Sequence, residues 1–170
     1  MHVNYYLNRL ISLYTGFETD VIKTGNSGEH ALTTNLAMLL DYSAGFSIET
    51  YHFINLIEQF GGVLESKYPE VMQKAVEIYQ VESRNPHLHE VKDEDHIKEM
   101  IESSLSVIFH SAISPSELKK EVLRELRKLK IINKEEVPNQ PTKYKALNLI
   151  DLEKFFQEID LEKYCNFSNN

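Results

Sequence analysis

Apolar positions along this chain fall mostly in the three-to-four-residue rhythm of helices, interrupted by short stretches of another character. Tyr6, Leu7, Leu10, Ile11 and Tyr14 predict a first helix over residues 4–14. Gly16, Gly25 and Gly28 then punctuate the chain around a β-type run, Asp20-Val21-Ile22. A second helix is expected from about Glu29 to Leu40. Gly45-Phe46-Ser47-Ile48 reads as a short extended piece, since Phe and Ile suit a pleated surface. Phe53, Leu56, Ile57 and Phe60 mark a third helix, Glu49 to Phe60, stopped by Gly61-Gly62. A short helix near residues 65–74 is expected next.

Residues 76–81 (VEIYQV) alternate apolar and polar with the period of a half-buried strand. They run into a polar turn, Ser83-Arg84-Asn85-Pro86. The stripe Ile97, Met100, Ile101, Leu105, Ile108 and Phe109 predicts a helix from Asp93 to His110. Ser114-Pro115-Ser116-Glu117 has the pattern of a capping box with proline at the first helical position, opening a helix that reaches about Lys130. A polar linker over 133–147, with Pro138 and Pro141, separates this body (1–132) from a last amphipathic helix and tail (148–170). The predicted class is α/β and helix-rich. Two or three short strands cannot make a satisfied sheet alone, so something else is expected to supply the rest of it.

Charge narrows the partners. The net charge is −8, against the basic surface that nucleic acid demands. Small phosphorylated ligands remain compatible, because a metal ion, a few basic groups and backbone N–H groups can hold them locally. The basic run Lys119 to Lys130 contains Glu121 and Glu125 and reads as a solvated helix face. No stretch approaches the ~18 consecutive apolar residues of a membrane span. The amino terminus reads as the middle of a helix, not as a signal peptide. Cys165 stands alone, which excludes an internal disulfide and fits a cytoplasmic protein.

Two segments could carry chemistry. Thr24-Gly25-Asn26-Ser27-Gly28-Glu29-His30-Ala31 joins an extended run to an expected helix start, where exposed N–H groups suit an anion. On these residues alone, a tight turn with Asn26 or Ser27 as N-cap is the favoured reading. Asn85-Pro86-His87-Leu88-His89-Glu90 sets two histidines beyond a proline-fixed turn, where both can approach one metal ion. His96 reads as an exposed first-turn residue, and His110 as a helix-end residue meeting free carbonyls. Asp93-Glu94-Asp95 spells a D-x-D, but it opens a helix and reads as capping rather than as a metal triplet.

Taken in order, NYYLNRLISLYTGFET, TGNSGEHALTTNLA, YSAGFSIETYHFI, EQFGG, VEIYQVESRNPHLHE and HIKEM resemble the mannosyl-3-phosphoglycerate synthase family. The likeness spans residues 4 to about 110, with a less specific fit beyond. It implies the carboxy-terminal half of a retaining GT-A type glycosyltransferase, which joins the mannosyl group of GDP-mannose to 3-phosphoglycerate in mannosylglycerate synthesis. It further implies a divalent cation, Mg2+ or Mn2+, held by His87, with His89 as second choice. Glu49 matches a carboxylate that binds hydroxyls of the transferred sugar. Gly28 and Glu29 are expected to line the cleft near donor or acceptor, and Arg84 and Asn85 to meet the acceptor's phosphate or carboxylate. No catalytic residue is assigned.

The family's nucleotide-binding strands and its D-x-D are not found in these residues. The expectation is therefore a chain inactive alone, completed by a separate amino-terminal half, and a homo-oligomer or self-associating species where an apolar face lies uncovered. Two other readings compete: a non-catalytic helical fragment or interaction module, and a metallohydrolase built on His87, His89 and Glu90.

Overall fold

The computed structural model describes residues 2–26, 30–60, 78–81 and 93–147. The residues expected as a helix near 65–74, the first two residues of VEIYQV and the last helix of 148–170 lie outside them, as does Gly61-Gly62. Among the described residues the fold is helix-rich. Five helices, α1 (His2–Thr15), α2 (Thr34–Leu39), α3 (Ile48–Phe60), α4 (Glu94–His110) and α5 (Ser116–Lys128), accompany two short strands, β1 (Tyr42–Ser43) and β2 (Lys143–Tyr144).

Helix α4 is the hub, in contact with α1, α3, α5 and a 3-10 turn at Gly45–Ser47. Leu105 and Ile108 of its stripe, with Ile101 and Phe109 against them, enter a core shared with Val3, Leu7 and Leu10 of α1, Tyr51 and Ile54 of α3, and Leu118, Val122 and Leu126 of α5, whereas Ile97 is exposed. Asp93 caps it as expected, accepting from the His96 N–H at 2.8 Å. The D-x-D triplet is thus a helix start. Helix α1 ends at Gly16, whose φ of +76° carries the chain out of the helix while its N–H still reaches Ser12 O at 2.9 Å. Tyr14, counted in the stripe from sequence, is largely exposed.

The expected capping box is not formed. Pro115 occupies the N-cap position of α5 without a side-chain cap bond, and the buried Ser114 hydroxyl donates back to Ile108 O. The last carbonyls of α4 need a donor, and Ser114 is the nearest. Glu117, freed from capping, pairs instead with Arg9 of α1 at 2.8 Å.

One further expectation changes. Gly45-Phe46-Ser47-Ile48 is not extended: Gly45 has a φ of +61°, and the chain turns through it directly into α3. The pairing falls two residues earlier, where β1 runs antiparallel to β2 with Tyr42 opposite Tyr144 and Ser43 opposite Lys143. Residues 133–147 are mostly exposed, yet they are anchored to the body at two points. Pro138 and Ala146 are fully buried. Ser106 Oγ donates to Asn139 O at 2.6 Å, His110 Nε2 meets Pro138 O at 2.8 Å, and the Ala146 N–H donates to Asp41 Oδ1 at 2.9 Å.

Candidate functional site

Helix α1 presents two asparagines one turn apart to the extended segment after it. Asn8 pairs with both backbone groups of Ile22, donating from Nδ2 to its O at 2.9 Å and accepting its N–H at Oδ1 at 2.9 Å. Asn4 does the same one step on, with Lys23 O at 2.6 Å and the Gly25 N–H at 2.8 Å. On the opposite edge Gln80 accepts from the Lys23 and Thr24 N–H groups at 2.6 and 3.1 Å and donates to Val21 O at 2.6 Å. Side-chain amides, each with a donor and an acceptor, thus take the place of neighbouring strands. Gly25 permits the approach, since a Cβ there would stand 2.6 Å from Leu7 Cδ1.

Residues 78–81 are not a strand in this structure, and Ile78, Tyr79 and Val81 are exposed. Gln80, exposed like its neighbours, instead turns its amide to Val21–Thr24. Phe17 and Val21 add to the exposed apolar surface beside it.

The held segment delivers Thr24-Gly25-Asn26 to the start of α3. Thr50 Oγ1 donates to Gly25 O at 2.9 Å, and Asn26 Nδ2 donates to Ser104 Oγ of α4 at 3.2 Å. Ser104 in turn donates to Phe46 O at 3.2 Å. Asn26 does not open a helix, and Ser27 lies outside the described residues. α2 begins at Thr34 with Thr33 as its cap, so the described part of TGNSGEHA is loop, not a helix N-terminus.

Glu49, in the first turn of α3, faces this loop with its side chain 11% exposed. His30 Nδ1 lies 3.8 Å from Glu49 Oε1, beyond a direct hydrogen bond. One turn further along α3, the His52 ring is met edge-on by His30 and Tyr42, with centroids 5.1 and 5.0 Å away. The Tyr42 hydroxyl is engaged by Ala37 O at 2.7 Å. Both nitrogens of the buried His52 ring have no partner among the described residues. Burial, followed by the neighbouring His30, pushes His52 down to about 4, so the ring is neutral near pH 7.

Of the sequence candidates, Glu49 is therefore at this junction. Gly28, Glu29, Arg84, Asn85, His87 and His89 lie outside the described residues. His96 is not the exposed residue expected: its ring packs edge-on to Phe46 at 4.7 Å and its Nε2 is buried without a partner among the described residues. His110 does meet a carbonyl, that of Pro138. Among the described residues no three His, Cys, Asp or Glu side chains gather to hold a metal ion, and no helix is long and apolar enough to cross a membrane. His30, Thr50 and His52 were not singled out from sequence. The available signal was the three-residue spacing of Glu49 and His52, which puts both on one side of α3. A separate groove of about 1170 Å³ between α1 and α5 involves none of these residues, and its Arg9 is engaged by Glu117 and Glu121.

Comparison with known proteins gives a consistent picture. A family model described as mannosyl-3-phosphoglycerate synthase matches residues 1–159. The chain is 39% identical over 158 residues to the mannosyl-3-phosphoglycerate synthase of Pyrococcus furiosus, covering 92% of this chain and 40% of that protein. It is 39% identical over 143 residues to the synthase of Aeropyrum pernix, covering 84% of this chain and 36% of that one. The chain thus spans about two-fifths of the length of the curated relatives it matches, in their carboxy-terminal portion.

Proposed function

The chain belongs to the mannosyl-3-phosphoglycerate synthase family, and on that premise we propose that it is the carboxy-terminal portion of a retaining GT-A type glycosyltransferase. The complete activity joins the mannosyl group of GDP-mannose to 3-phosphoglycerate, in the cytoplasm. The observation that carries this reading is the convergence at the head of α3: Thr50 holds the Thr24–Asn26 turn through Gly25, and Glu49 stands beside it facing His30. A recessed carboxylate beside a polar loop suits the hydroxyls of a sugar, because an ionised carboxylate only accepts and each hydroxyl donates.

The remaining roles follow the family resemblance. Gly28 and Glu29 line the cleft near donor or acceptor, and Arg84 and Asn85 meet the anionic acceptor. His87, with His89 as second choice, ligates a divalent cation together with a D-x-D from the nucleotide-binding portion. Such an ion, when bound, neutralises charge on the departing diphosphate. No such site is formed among the described residues, and NPHLHE lies outside them. The exposed Phe17, Val21, Tyr79 and Val81 favour a neighbouring segment over this face.

The test is a chimera in which this chain replaces the matching carboxy-terminal portion of the Pyrococcus furiosus synthase. His87→Ala is expected to abolish metal-dependent transfer, and Glu49→Gln to raise KM for GDP-mannose and lower kcat about 10- to 100-fold while sparing KM for 3-phosphoglycerate. Unchanged kinetics in both variants would remove the assignment. Metal-dependent phosphoester hydrolysis by the chain alone would favour the hydrolase reading instead.

A further inference from the structure

One side-chain amide ties together two stretches of chain that are far apart in sequence. Three donors converge on Gln80 Oε1: the Lys23 N–H at 2.6 Å, the Thr24 N–H at 3.1 Å and Thr24 Oγ1 at 3.1 Å. Its Nε2 donates to Val21 O at 2.6 Å. Only an amide supplies an acceptor and a donor together at that reach. A carboxylate accepts without donating, and asparagine is a methylene shorter.

The two edges of the Val21–Gly25 segment differ in what they contribute. Along α1 the bonds between Asn8 and Ile22 are buried, so losing them leaves orphaned groups. The Gln80 edge is exposed, and water can serve the same backbone groups there with little change in stability. Stability does not account for Gln80. Position does. From Thr24 the chain passes to Gly25, whose carbonyl accepts from Thr50 Oγ1 at 2.9 Å, and Thr50 follows Glu49 in the first turn of α3. In the other direction, residues 78–81 lead in sequence towards Arg84, Asn85 and His87. The amide thus stands between both stretches of the sequence that carry candidate chemistry.

We propose that Gln80 is a positioning residue for sugar transfer: its amide sets where Thr24 and Gly25 stand and, through the Gly25–Thr50 bond, how the Thr24–Asn26 turn meets Glu49. This rests on reading the chain as the transferase portion. Gln80 touches no substrate in this scheme. It acts through the turn, which loses its outer restraint when the amide is removed while the Asn8 bonds still hold the fold.

The experiment has two parts. In the 170-residue chain, Gln80→Leu should speed amide hydrogen exchange at Lys23 and Thr24 and leave the melting temperature within about 2 °C, whereas Asn8→Leu should lower it clearly. In the Pyrococcus furiosus chimera, Gln80→Leu should reduce kcat/KM for GDP-mannose about tenfold. Gln80→Glu, which keeps the acceptor for Lys23 and Thr24, should reduce it about threefold. A residue acting through the turn on Glu49 is not additive with it, so Gln80→Leu should cost less than about twofold in a Glu49→Gln background. A merely structural role would instead give additive losses. Additive losses, unchanged exchange, or a melting temperature as low as that of Asn8→Leu would each overturn the proposal. Parent kinetics in Gln80→Leu would overturn it too, and in all four cases an active parent chimera leaves the transferase reading standing. A parent chimera without transfer would remove the proposal and its premise together.

Discussion

Helices α5 and α3 are each 13 residues long and are built on opposite plans. α5 turns Leu118, Val122 and Leu126, all 0% exposed, into the core and leaves its charged residues outside. α3 buries Tyr51, Ile54 and Leu56, but also Thr50, His52, Asn55, Glu58 and Gln59. Most of those polar groups fasten something. Thr50 holds the Gly25 carbonyl. Asn55 accepts from the Asp41 N–H and from Gln59. Glu58 accepts from Ser111 Oγ at 2.7 Å and the Ala112 N–H at 2.9 Å, tying α3 to the α4–α5 turn. α5 is stabilised by area removed from water, whereas α3 positions loops and leaves His52 without an internal partner.

The contrast can be broken at several strengths. Leu118→Ala should cost about 2–5 kcal/mol by chemical denaturation, because a fully enclosed leucine leaves a cavity. A loss well under about 1 kcal/mol would show that α5 is not part of the core. Glu58→Ala should cost about 1–3 kcal/mol, since the Ser111 hydroxyl and the Ala112 N–H lose their acceptor. Glu58→Gln keeps an acceptor and should recover a good part of that. A neutral outcome for the alanine variant would mean water replaces the carboxylate freely.

The pH response is smaller per unit and sharper in form. His52 is held at about 4 against a usual value of 6.5, so between those limits the unfolded chain binds a proton that the folded chain refuses. Stability therefore falls as pH drops from about 6.5 towards about 4, by at most roughly 1.4 kcal/mol per unit from this group. His52→Phe should flatten that part of the profile. An unchanged slope would assign the acid sensitivity to other groups.

Repetition of apolar residues made α3 and α4 legible from sequence to within a residue, since each buries a stripe with helical period. α1 and α5 were legible to within about two residues of their ends. Gly45 misled because a glycine before Phe and Ile resembles a strand approach, and its positive φ depends on where the chain must go next. Ser114 misled because its hydroxyl has two acceptable uses, and the neighbouring end of α4 claimed it. The side-chain ladder of Asn4, Asn8 and Gln80 has no period to detect: its members meet Val21–Gly25 only after folding. At the site, Glu49 was found through family likeness. His30 and His52 were passed over, because a lone histidine on a partly apolar helix looks the same whether it packs or binds.

The central claim is that this chain supplies one wall of a sugar-transfer cleft and needs a nucleotide-binding wall to act. The most direct measurement is product formation from GDP-mannose and 3-phosphoglycerate, with Mg2+ or Mn2+, by the isolated chain and by its chimera with the amino-terminal portion of the Pyrococcus furiosus synthase. The account predicts no transfer by the chain alone, and mannosyl-3-phosphoglycerate with retained anomeric configuration from the chimera. A folded chimera that binds GDP-mannose yet forms no product would contradict it.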